Sequence, residues 1–166
     1  MVTIQDFLEE LENEAAATRR LLERVPEAKM DWRPHEKSMT LGQLAMHIAI
    51  LPASIARVSM QSEFDIGTVV PRPQAGSTAE LLTALEQSVV EAKKLLGSMN
   101  ESMLADNLRM MSGEREVFAI PRAAFLRSVM LNHWYHHRGQ LTVYLRENDV
   151  PLPSVYGDTA DENPFL

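Results

Sequence analysis

Three of the chain's five histidines fall within five residues, in NHWYHHRGQL from Asn132 to Leu141. Imidazole is the commonest metal-ligating side chain, and the chain has no cysteine, so a bound metal ion must rest on nitrogen and oxygen donors. On a helix that turns about 100° per residue, with His133 at zero, His137 lies at about 40°, Leu126 and Tyr144 at about 20°, and Met130 at about 60°. The pair therefore occupies the middle of an apolar stripe, while His136, at about 300°, sits on its margin. Two imidazoles at i and i+4 have Cβ atoms about 6 Å apart, from which two ring nitrogens can converge on one ion at about 2.0 to 2.1 Å. Taken alone, the pair fits equally well as two neutral rings hydrogen-bonded inside a core.

His47 alters that balance. It lies in the apolar arc of an earlier helix, flanked on the wheel by Leu44, Leu51 and Val58. Three inward imidazoles on two neighbouring helices compound the cost of burying polar groups unless something binds them together, and a cation does so. The expected ligand set is His47, His133 and His137. Three protein ligands leave a coordination position open, which is the mark of a catalytic metal and not of a structural one.

Neighbouring residues take lesser parts. Gln140 and Gln43 are each spaced to reach a ring nitrogen turned away from the metal, although a solvent-facing amide is an equal expectation for Gln43. Arg138, at about 140° on the wheel, falls off the core stripe and is expected to pair with an acidic neighbour or a subunit. Trp134 and Trp32 are expected to pack, His35 to lie in solvent, and Pro52 to kink its helix and free the carbonyl of Ile48. The methionines of LRMMS and SVMLNH could line an adaptable apolar pocket, with core filler the commoner role for such residues. No general acid or base stands out.

The elements that must position these residues are four amphipathic helices. The first runs from about Thr3 to Val25, with Thr3 and Asp6 spaced as a capping pair, and Pro26 closes it. The second opens at TLGQL, where Thr40 and Gln43 have capping-box spacing, and ends around Met60. The third opens at Ser77 and Glu80 and ends at Gly97, a candidate C-cap; the fourth runs from about Pro121 to Glu147. The segment SEFDIGTVVPRPQAG is expected as coil, and NESMLADNLRMMSGEREVFAI as a turn of helix and a short extended piece. DVPLPSVYGDTADENPFL is expected as an extended tail. The fold class is thus all-α, a four-helix bundle with an extended C-terminal tail, in a single domain over residues 1–166.

Composition narrows the function further. The formal net charge is -7 with the sixteen Lys and Arg scattered, which argues against a nucleic-acid partner. There is no run of 18 uninterrupted apolar residues, and the acidic start MVTIQDFLEELENE is unlike a signal peptide, so no membrane partner and a cytoplasmic location are expected.

The blocks MDWRPHEKSMTLGQLAMHIAILP, NHWYHHRGQLTVYLR and VPLPSVYGDTAD together resemble the DinB family, the DinB/YfiT-like metalloenzyme group, across nearly the whole chain. The H-x3-H-R-G-Q block carries the most specific part of the likeness. The resemblance implies an up-down-down-up type of bundle, commonly a homodimer, with one zinc, nickel or other divalent ion per chain. It also places the ligands at His47, His133 and His137, and not at His136. Some relatives are S-transferases that use low-molecular-weight thiols. Since this chain has no thiol of its own, a sulfur nucleophile would arrive as cosubstrate, and the leading expectation is a metal-dependent transferase joining a small thiol to a small-molecule electrophile. The rivals are a hydrolase using metal-bound hydroxide and a non-catalytic, stress-associated binding module stiffened by its metal.

Overall fold

Three of the long helices start where a side chain takes up their first unpartnered N–H groups, and the last starts at Pro121 without a side-chain cap. In the computed structural model, which describes residues 2–68 and 73–165, α1 spans Ile4–Leu22, α2 Leu41–Ser59 and α3 Thr78–Gly97. Thr3/Asp6 and Thr40/Gln43 both form complete capping boxes. Ser77 accepts from the Glu80 N–H, but the Glu80 carboxylate turns to the Gly76 N–H and the box is not reciprocal. The last helix is continuous over residues 122–146 but not uniform. A short α4, Arg122–Phe125, passes into a π-helical stretch, Leu126–Asn132, and then into α5, His133–Arg146.

Helix α3 packs on α1 and α2, and α5 packs on α2 and, less extensively, on α1. Their apolar faces make one core that includes Leu11, Leu44, Ile48, Leu81, Leu126 and Trp134. Among the described residues α2 alone is long and apolar enough to cross a membrane, but 72% of its apolar window is buried inside the protein, where a bundle's central helix belongs.

The all-α expectation needs correcting. A small three-stranded sheet is formed by β1 (Glu63–Asp65), β2 (Asn107–Ser112) and β3 (Arg115–Pro121), in the order β1-β2-β3. Strands β2 and β3 form an antiparallel hairpin turning at Gly113, whose φ of 59° suits glycine. β1 lies parallel to β2, reached only after the whole of α3. The segment expected as coil therefore contributes a strand at residues 63–65 and a 3₁₀ turn at 66–68; its portion at residues 69–72 lies outside the described residues. The turn of helix and extended piece expected after Asn100 are a 3₁₀ helix, Glu101–Leu104, and β2.

The C-terminal tail is extended and folds back on the bundle. Arg20 donates to the Ser154 carbonyl at 2.8 Å and pairs with Glu162, Arg146 pairs with Asp161, and Tyr156 reaches Glu14 of α1 at 2.6 Å.

Candidate metal centre

The second helix carries His47 about two turns inside its N-terminal cap. Gln43 accepts from the Thr40 N–H at 3.0 Å, so its amide oxygen is part of the cap. Five residues beyond His47, Pro52 supplies no N–H, so the Ile48 carbonyl loses its helical donor. The fully buried Trp134 donates its Nε1–H to that carbonyl at 2.9 Å. Beside the proline, the Ala53 N–H donates to Ser88 Oγ of α3 at 3.0 Å. The break in α2 thus links it to both neighbouring helices, and one of those links joins the residue after His47 to the residue after His133.

On the last helix, the π-helical stretch closes wider i→i+5 turns immediately before His133. The rotation per residue falls there, so wheel positions of Leu126 and Met130 relative to the histidines shift, although both remain buried. His133 and His137 lie within regular α5, and their i, i+4 geometry holds.

The structure brings His47, His133 and His137 together. One ring nitrogen of each lies within 4.8 Å of the others. Ring centroids are 5.4 Å apart for His47 and His133, 4.6 Å for His47 and His137, and 4.5 Å for His133 and His137. His47 is buried and the other two are partly buried. His136 and His35 are exposed and stand outside the group, as the sequence indicated.

The donor chemistry suits a cation. Gln140 Oε1 lies 2.7 Å from His137 Nδ1; an amide oxygen only accepts, so Nδ1 carries the hydrogen and Nε2 presents a lone pair. His133 hydrogen-bonds the Val129 backbone, and burial, the larger influence, lowers its pKa and keeps the ring neutral. The two Nε2 atoms face each other at 2.7 Å, which is repulsive for two lone pairs unless a proton or a metal ion lies between them. A third imidazole alongside completes a set of three nitrogen donors that could hold one divalent ion.

Behind α5 lies a layer that sequence reasoning missed. Glu10 of α1 takes both guanidinium nitrogens of Arg127, at 2.6 and 2.7 Å, and the Tyr135 hydroxyl. Burial first, and the Glu10 contact second, push the Tyr135 hydroxyl above its ordinary pKa. Arg138 pairs with Glu14, as its expected acidic neighbour, and donates to Thr18 and Tyr156. It is only 2% exposed, however, and not the peripheral residue its wheel angle indicated, because α1 and the tail cover the side of α5 away from α2. The signal that could have found this layer is the set of charged residues that recurs one turn apart on α1, Glu10 and Glu14, against Arg127 and Arg138 on the last helix.

The model of the DinB family matches residues 1–163. The uncharacterized protein YrdA of Bacillus subtilis is 22% identical over 162 residues, covering 96% of this chain and 92% of that protein. A DinB-like protein from Bacillus cereus superposes with a TM-score of 0.71 at 23% identity, covering 93% of this chain and 98% of its own. The DinB-like protein YjoA from Bacillus subtilis gives 0.65 at 19% identity, covering 88% and 95%. At these identities the structural likeness shows the fold.

Proposed function

This chain belongs to the DinB family, and on that footing we propose that it is a metal-dependent S-transferase holding one divalent ion, zinc or nickel, on His47, His133 and His137. The observation that carries the proposal is the convergence of three ring nitrogens within 4.8 Å, with Gln140 turning one of them inward. The ion would act as a Lewis acid, making a small thiol more acidic near neutral pH.

The reaction joins a low-molecular-weight thiol to a small electrophile: the S–H bond breaks, an S–C bond forms, the leaving group departs with the bonding pair, and the thiol proton goes to solvent. The chain's own part is positional. Gln140 holds the His137 ring, Val129 holds the His133 ring, and the Trp134 to Ile48 hydrogen bond keeps the two ligand helices in register. The thiol must be a cosubstrate because the chain has no cysteine. We place the protein in the cytoplasm as a homodimer.

The test has two arms. Protein purified without added metal or affinity tag is expected to hold about one equivalent of metal per chain, falling to near zero in His137→Ala. The metal-loaded protein is expected to consume a low-molecular-weight thiol when a model electrophile is added. Unchanged occupancy in the variant removes His137 from the site. Turnover of an ester or amide without thiol would favour a hydrolase, and neither activity, with a large fall in melting temperature on chelation, would favour a binding module.

A further inference from the structure

The small sheet has two unlike faces. Strand register aligns Glu63 with Arg109, and Arg109 pairs with Glu63 at 3.0 Å and Glu116 at 2.7 Å on the outer side. One residue along, Phe64, Met110 and Phe118 stand in a single cross-strand row. Alternation along a strand sends this row to the opposite face, toward the helices.

That row closes on the bundle at Phe64, whose ring packs edge-on against Phe125 with centroids 5.5 Å apart, but leaves a gap beside this contact. A cavity of about 150 Å³ lies between it and Ile55 and Val58 of α2, Phe125, and Val129 of the π-helical stretch, with Ile66 at its rim. All eight lining residues are apolar. Phe125 is 1% exposed and Ile55 2%, so the inner wall is part of the core, whereas Ile66 is 49% exposed and marks the mouth. Protein interiors leave few voids larger than a water molecule, and water needs two or more polar partners to occupy one. An apolar void of about this size in another protein is known to stay dry and take up benzene.

We propose that this cavity is a binding pocket for a compact, uncharged, apolar group, an aromatic ring or branched alkyl chain about the size of benzene. The volume limits the size, the lining excludes charge, and the side-chain row of the sheet supplies flat faces for an aromatic ring. The pocket follows the same seam between α2 and the last helix as the three histidines. Ile55 is eight residues past His47, about 12 Å along α2, and Val129 is one turn before His133. The proposal stands without a metal, and its test is made on metal-free protein.

Protein carrying methyl-labelled methionine, with the Met110 signal assigned through Met110→Leu, is titrated with benzene and separately with benzylammonium. Saturable displacement of the Met110 methyl by benzene is expected, with benzylammonium at least about tenfold weaker because its charge has no partner in the pocket. Val58→Trp, which fills the cavity, is expected to abolish the displacement, and Phe118→Ala, which enlarges it, to shift the preference toward butylbenzene. The proposal is overturned if displacement is linear in benzene, if the two ligands bind equally, or if neither variant changes the response. It is overturned equally if the Met110 signal follows protein concentration and not ligand, since the face would then be covered by a second copy of the chain.

Discussion

Replacing Trp134 by Phe tests the idea that the proline in α2 and the tryptophan in α5 form one device. Trp134 is fully buried, and its Nε1–H is the donor 2.9 Å from a carbonyl that Pro52 leaves without a helical partner. The substitution strands that carbonyl, at about 1 to 3 kcal/mol, and removes part of a packed ring, at about 1 to 2 kcal/mol, for a total of about 2 to 5 kcal/mol. Pro52→Ala restores an N–H aimed at Ile48 O. In that background the carbonyl keeps a donor, and Trp134→Phe should cost only the packing part, about 1 to 2 kcal/mol. The assay is urea unfolding of the four metal-free proteins followed by far-UV circular dichroism, reading midpoints at constant m. A Trp134→Phe cost that agrees within about 0.5 kcal/mol in the two backgrounds would refute the coupling and reduce Trp134 to a packing residue.

Gln140→Leu removes the group that orients His137 while touching little of the core, so zinc affinity by calorimetry should fall about 10- to 100-fold with the melting temperature nearly unchanged. Arg138→Met leaves the Glu14 carboxylate without its buried partner, with a cost of about 3 kcal/mol in urea unfolding; earlier proteolytic clipping around Tyr156 should accompany it as the tail loses one of its anchors. Glu10 has its carboxyl pKa lowered, chiefly by the Arg127 hydrogen bonds. Because the folded value lies below the unfolded one, its stabilisation is fully present above about pH 4.3 and is lost as pH falls through the folded value. Glu10→Gln should therefore flatten the acid limb of the stability profile, and an unchanged limb would assign it to other carboxylates.

The sequence by itself determined the helices and the histidines. Capping pairs at Thr3, Thr40 and Ser77 mark their starts through contacts three residues apart, and such contacts form wherever the rest of the chain goes. The inward aim of His47, His133 and His137 follows from helical period alone, whereas His136, at the margin of the stripe on the wheel, is exposed in the structure; Pro52 forecast a freed Ile48 carbonyl. What filled that carbonyl could not be foreseen, because the donor lies 86 residues away. The sheet was hidden for a similar reason: β1 has three residues, the β2 to β3 pairing shifts register between Met110 and Met111, and the parallel partner of β1 lies beyond α3. The π-helical turns and the burial of Arg138 also arise from what packs against the last helix. Period and capping are written within a few residues, whereas a pairing between distant segments exists only once the chain has closed around its core.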